Sequence, residues 1–192
     1  MGLVKWKNHK VFGVGINDLD SKHPAYPTWH SIHRRSYSEV YHASKPTYED
    51  VEVCSEWQIL SNYAGWFLEN YVEGFQLDKD LIKPGNRIYC PEFCCFLPNE
   101  VNCALQNNRG RNGLPPSVSI KAESGKYIAQ LSMNTDGRRV SKHLLSTDSV
   151  QFAAEAYKVA KEEHISKLAD KWKDSVSQQA YDSLKAYEVV WN

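Results

Sequence analysis

Between Leu77 and Asn102 the chain reads LDKDLIKPGNRIYCPEFCCFLPNEVN. Two carboxylates, Asp78 and Asp80, stand close together; Asn86 follows at a Pro-Gly turn, and Asn102 closes the stretch. Acid, turn asparagine and late asparagine at such spacings can converge on one metal. Asp78, Asp80 and Asn102 would supply oxygen ligands, which suit a hard ion such as Mg²⁺. An ion held in this way acts as a Lewis acid on a phosphate ester, while a base activates the attacking water. Beside Asp78 stands Lys79, a poor base at neutral pH unless its pKa falls by several units. Solvent, or His30, His33 or His42 from another segment, could substitute. The bland alternative is a folded remnant carrying a solvated Asp78-Lys79-Asp80 run.

A second chemistry is available to sulfur. Cys54, Cys90, Cys94 and Cys103 could complete a tetrahedral zinc site, although no clean pair of CxxC knuckles is present. Cysteine is also one of the most commonly buried residues, so plain core thiols compete with zinc. His30 and His33 stand one helical turn apart and could share a ligand, but no carboxylate accompanies them at matching spacing; surface or capping histidines are the alternative.

Composition narrows the classes of partner. Among 192 residues there are 23 basic and 23 acidic side chains, so any basic surface must be local. No apolar run approaches the ~20 residues of a membrane span, and no membrane partner is expected. The opening MGLVKWKNHKVFG lacks the apolar core of a signal peptide, and Met-Gly is not followed by the Ser or Thr that N-myristoylation requires. The odd cysteine count then suggests free thiols in a reducing cytoplasm.

The elements that must position these residues are legible in outline. Residues 10–15 predict a short strand, its GxG a turn rather than a dinucleotide site. His23 to His42 predicts a helix opened by Pro24 or Pro27, with Trp29, Ile32, Ser36/Tyr37 and Val40 on its buried stripe. Arg34 and Arg35 lie on its other side, where they can touch phosphate or stand solvated. Residues 51–54 predict a strand. A helix from Ser55-Glu56 follows, with Trp57, Leu60, Ala64, Phe67 and Tyr71 on one face and Gly74 at its end. Residues 77–82 and 87–90 predict the two arms of a hairpin about Pro84-Gly85, and a helix starts at Pro98-Asn99-Glu100. NNRGRNGLPP, residues 107–116, predicts a basic linker between domains 1–106 and 117–192.

Downstream, residues 117–122, 125–133 and 137–145 predict three strands with turns at Gly125 and Asp136-Gly137. A long helix then opens near Thr147-Asp148, with Gln151 completing a capping box on Asp148, and a second runs about 177–189. From Arg109 to His143 there are seven Lys or Arg residues (Arg109, Arg111, Lys121, Lys126, Arg138, Arg139, Lys142) against Glu123 and Asp136. Alternation sets Lys126, Ile128 and Gln130 apart from Tyr127, Ala129 and Leu131, so one sheet face can be polar. Lysine and arginine suit phosphate, arginine can read guanine, and glutamine can read adenine. Double-stranded DNA is the expected partner, and a merely solvated basic sheet is the alternative.

Trp29, Ile32, Arg35 and Tyr37 are followed by Pro46-Thr47-Tyr48 and Val53-Cys54-Ser55-Glu56-Trp57; later come Leu77-Asp78-Lys79-Asp80, Pro84-Gly85-Asn86 and Tyr89 to Cys94. This series resembles the HNH-type homing-endonuclease-like proteins of bacteriophages. The resemblance implies an HNH-like ββα core with N-terminal helices. It matches Asp78 to the metal-binding Asp, Lys79 to the position of the general-base histidine, and Asn102 to the last metal ligand. Asn86 lies near the turn asparagine that holds hairpin and base, and Phe93 replaces the Asn of the lead-in. The last third resembles the plant ethylene-response-factor type of DNA-binding domain, in which an exposed three-stranded face packed on a helix reads the major groove.

The expected fold class is thus α+β, an HNH-like core followed by a three-stranded antiparallel sheet on a helix. The expected function is sequence-specific binding of double-stranded DNA by a protein derived from a phage homing endonuclease. Its nuclease activity would be weakened or lost, and it would be able to repress transcription in the host cytoplasm. The alternatives are an active Mg²⁺-dependent HNH endonuclease or nickase using Asp78 and Asn102, and a zinc-bearing interaction protein. The oligomeric state is left open.

Overall fold

Proline in the first turn needs no N–H partner, and Pro27 accordingly opens α1, Tyr26–Tyr37. Trp29, Ile32, His33 and Ser36 form its buried stripe. The computed structural model describes residues 10–106, 110, 112–135 and 137–191. The helix expected over 23–42 is interrupted at Ser38, which is extended (φ −93°, ψ 112°) and caps α2, Glu39–Ser44, by accepting the Tyr41 N–H. The break turns Val40 outward, 83% exposed, so it does not belong to the buried stripe.

Residues 10–15 form a tight turn and not a strand. Phe12 and Gly13 both take positive φ (50° and 78°), and Val11 and Gly15 exchange backbone hydrogen bonds of 2.8 and 2.9 Å. This turn delivers Ile16 to Ile59: Ile16 N–H donates to Gln58 O (2.7 Å) and Leu60 N–H to Ile16 O (3.0 Å). Ile59 is thereby held extended, and the helix expected from Ser55 splits. A single 3-10 turn spans Glu56–Gln58, and α3 spans Leu60–Asn70, stopping before Gly74.

The core of this part packs Trp29, Ile32, Trp57, Leu60, Tyr63 and Phe67 with Val51, Val53, Tyr89 and Phe96. Its polar ties are specific. Trp29 Nε1–H donates to Trp57 O at 2.7 Å, and the Tyr37 hydroxyl accepts Val53 N–H (2.9 Å) and faces Val53 O (3.4 Å).

Strands here are short and pair non-locally. β1, Glu52–Val53, runs parallel to β3, Ile88–Tyr89, whereas β2, Gln76–Asp78, pairs with β4, Cys95–Leu97. The hairpin expected from 77–82 and 87–90 does not form as a ladder, because each arm has another partner.

Backbone contacts divide the chain into Met1–Phe96 and Leu97–Asn192. The division falls ahead of the linker expected at 107–116, since α4, Asn99–Leu105, packs within the second unit. There Glu100 pairs with Lys171 at 2.5 Å, and the buried Lys161 ammonium donates to the Ala104 carbonyl at the end of α4. Burial lowers the Lys161 pKa to about 8.

The second unit carries the expected three-stranded antiparallel sheet: β5, Val118–Ile120; β6, Tyr127–Thr135; β7, Arg138–Thr147; in the order β5-β6-β7. Gly125 and Gly137 adopt the positive φ that the two turns require. α5, Val150–Trp172, buries Ala153 and Tyr157 against Val118, Ala129 and Leu131. Its cap is Ser149, which accepts Phe152 N–H, and not Asp148. α6, Gln178–Lys185, is capped by Ser177. The fold class is α+β.

Two outcomes test the first core. A Cβ on Gly15 would stand 2.8 Å from His33 Cδ2 and 2.9 Å from the Trp29 ring, so Gly15→Ala should destabilise by about 1–3 kcal/mol in denaturant melts. His33 is wholly buried, its Nδ1–H donating to Trp29 O at 2.8 Å, and burial lowers its pKa from 6.5 to about 4. The folded state favours the neutral ring. Stability should therefore be complete above pH 6.5 and fall as pH drops towards 4, by on the order of 3 kcal/mol. In His33→Leu that slope should flatten.

Candidate functional site

The segment from Asp78 to Asn86 is organised by side chains that serve its own backbone. Asp78 ends β2, and its Oδ1 accepts the N–H groups of Asp80 (2.9 Å) and Leu81 (2.7 Å). This turn pulls the chain away from strand geometry immediately after Asp78. Burial raises the Asp78 carboxyl above its usual range, and those two N–H groups oppose the rise.

Lys79 lies beneath the turn, 7% exposed. Its ammonium donates to Asp80 Oδ1 at 2.6 Å and to the Asn86 carbonyl at 2.9 Å. Asn86 reciprocates: its Nδ2 donates to the carbonyls of Lys79 (2.9 Å) and Ile88 (2.6 Å), and its Oδ1 accepts Ile88 N–H (3.2 Å). The two residues clasp the arms where no ladder does. Asn86 therefore ties the two arms together, on Lys79 and through the backbone.

This arrangement fits a divalent ion poorly. Asp78 spends an oxygen on two backbone donors, and Asp80 faces a lysine ammonium, so a cation is already supplied by the chain. Asn102 lies on α4. Among the described residues, no three His, Cys, Asp or Glu side chains group as metal ligands. Cys54, Cys90, Cys94, Cys95 and Cys103 are free thiols, and burial lifts Cys90 to about 11. His30 and His33 do not converge as ligands either: His33 hydrogen-bonds Trp29, while the His30 ring packs at a tilt against Phe12 and Tyr26.

The sheet of the second unit has two unlike faces. Tyr127, Ala129, Leu131 and Met133 point to the core under α5. The alternate positions give a polar face on which Lys126, Gln130, Arg139, Ser141 and His143 are exposed, with Lys121 beside them beyond β5. Register joins β6 and β7 across it: Gln130 opposes His143 and Ser132 opposes Ser141, while Arg139 Nη2 reaches Ser132 Oγ at 3.4 Å. The three strands contain no acidic residue. Glu123, in the turn, pairs with Lys121 at 3.4 Å.

The basic residues singled out from sequence do not all share that face. Lys142 opposes Leu131 and Arg138 opposes Thr135, which places both on the side of the sheet that α5 covers. Lys142 lines a groove with Phe152, Glu155 and Glu163 of α5. Arg109 and Arg111 lie outside the described residues. Conversely, Ser141 and His143 belong to the polar face and were missed. The signal was present: counting in twos from Arg139 reaches them, whereas charge alone groups Arg138, Arg139 and Lys142.

No family model, curated protein or solved structure matches the chain. Many residues of the series from Trp29 to Cys94 have structural work in the first core: Trp29, Tyr37, Trp57, Asn86 and Tyr89 take part in its packing and ties.

Asn86→Ala removes three hydrogen bonds and leaves the buried Lys79 carbonyl without its partner. It should cost about 2–4 kcal/mol in chemical denaturation.

Proposed function

We propose that this protein binds double-stranded DNA sequence-specifically through the polar face of β5, β6 and β7, and that it occupies its site without cutting. The observation that carries the proposal is the one-sided sheet: Lys121, Lys126, Gln130, Arg139 and His143 are exposed, and the strands between them hold no carboxylate. Lysine and arginine neutralise phosphates and release counterions, while Gln130 and Arg139 have the donor and acceptor geometry to read base edges. A β-sheet face of this kind can be presented to a DNA groove.

The non-cleaving part rests on the Lys79–Asp80 pair at 2.6 Å and on the two backbone bonds to Asp78 Oδ1, which suit a structural turn better than a metal centre. Descent from a phage homing endonuclease would account for the Leu77–Asn102 pattern, and a protein that holds its site without cleaving it can repress transcription from an overlapping promoter.

The test is selection of a bound site from a random duplex pool, followed by footprinting with and without Mg²⁺. A protected, uncut site is expected under both conditions. Lys126→Gln and Arg139→Gln should each reduce the slope of log K against log salt by about 0.9 if each residue contacts one phosphate. Failure to bind any duplex better than competitor DNA overturns the proposal. Cuts that require Mg²⁺ and vanish in Asp78→Ala would replace it with nuclease action.

A further inference from the structure

The first unit holds a cation, Arg35, that no carboxylate of the described residues pairs with. Arg35, near the end of α1, is half-buried, and its guanidinium makes one hydrogen bond with the described residues, from Nη1 to the Tyr89 hydroxyl at 3.5 Å. A guanidinium presents five N–H donors, so most of them face no acceptor among the described residues. No carboxylate of the described residues lies within 4.0 Å of it. Asp78 and Asp80, which lie near Tyr48, already hold backbone N–H groups and the Lys79 ammonium, respectively.

Its neighbours are phenols. Tyr48 and Tyr41 stand near the guanidinium beside Tyr89, and Tyr41 meets Tyr48 edge-on with centroids 5.4 Å apart. Arg34 covers the other end, its guanidinium 5.3 Å from the Tyr41 ring centre. Tyr89 is buried and fixed in β3 by pairing with β1, and the Arg35 carbonyl is held by His42 Nε2 at 2.8 Å. The group is thus mounted on regular elements. It offers guanidinium and hydroxyl donors together, beside charges that are otherwise satisfied. The complementary ligand is an anion rich in acceptors, small enough to enter between side chains and shaped for a guanidinium fork. A phosphate group meets those requirements.

We propose that Arg35, backed by Tyr89 and flanked by Tyr48, is a binding site for a phosphodiester group of a nucleic-acid backbone, separate from the sheet face. The source of that phosphate rests on the DNA-binding reading above; the affinity for phosphate itself does not.

The experiment follows the Arg35 Nε–H resonance of the ¹⁵N-labelled full chain, assigned by its loss in Arg35→Gln, during titration first with inorganic phosphate and then with the selected duplex. Saturable shifts with both ligands are expected, each weakened in Tyr48→Phe. Arg35→Gln should also reduce the salt slope of duplex binding by about 0.9. A resonance that neither ligand moves overturns the site. So does a folded Arg35→Gln protein whose salt slope equals that of the wild type. If no duplex binds at all, the DNA reading fails, and the phosphate titration still decides the site. If Arg35→Gln does not fold, assignment by sequential NMR and the Tyr48→Phe titration decide it.

Discussion

The reciprocal clasp between Lys79 and Asn86 sets the architecture of the middle of the chain. Two short strands, β2 and β3, lie on either side of a proline-glycine loop, yet each pairs elsewhere, with β4 and β1. Nothing in a ladder holds the loop. The buried lysine and asparagine do so by satisfying each other's carbonyls, and Asn86 adds two bonds to Ile88. Buried polar groups are tolerated only when they are hydrogen-bonded, so the loop has one economical conformation. That conformation places the Lys79 ammonium against Asp80, where a metal reading of the same residues would require a divalent ion.

The first core depends on a related device at larger scale. Aromatic side chains fill it, and the tie between Trp29 and the Trp57 carbonyl joins α1 to the segment entering α3. Tyr37 holds β1 through both backbone groups of Val53. These links explain why tryptophan and tyrosine recur at fixed spacings in this part of the sequence: each supplies apolar area together with a polar handle. The same packing leaves His33 neutral and buried, and among the described residues it sets Arg35 against the Tyr89 phenol.

In the second unit the governing constraint is alternation. Successive residues of a strand face opposite ways, so a single run can feed a core and a polar surface at once. β6 does this with Ala129 and Leu131 inward and Gln130 outward. A register shift at Ala129/Gln130 changes which β7 residues stand opposite, and the far part of β7 then contributes Arg139, Ser141 and His143 to the outward face. α5 covers the inward face, and the polar face is what remains for a partner.

The sequence by itself determined the local features. Helical periodicity located α1, α3 and α5, and Pro98-Asn99-Glu100 marked the start of α4; turn glycines and alternating runs located the three-stranded sheet; Pro27 and Ser177 stand at helix starts as their chemistry requires. These are consequences of nearest-neighbour geometry, which a linear pattern carries. The tertiary structure alone decided the rest. It paired two-residue strands with partners up to tens of residues away, split the helix after Ser55 by docking Ile16 on Ile59, and assigned α4 to the second unit. It also sorted Arg138 and Lys142 away from Lys126, Gln130 and Arg139, and it bound Lys79 to Asp80 and Asn86. Each of these outcomes depends on which distant backbone group or charge is within reach, and that is settled by packing, to which residue type and spacing are blind.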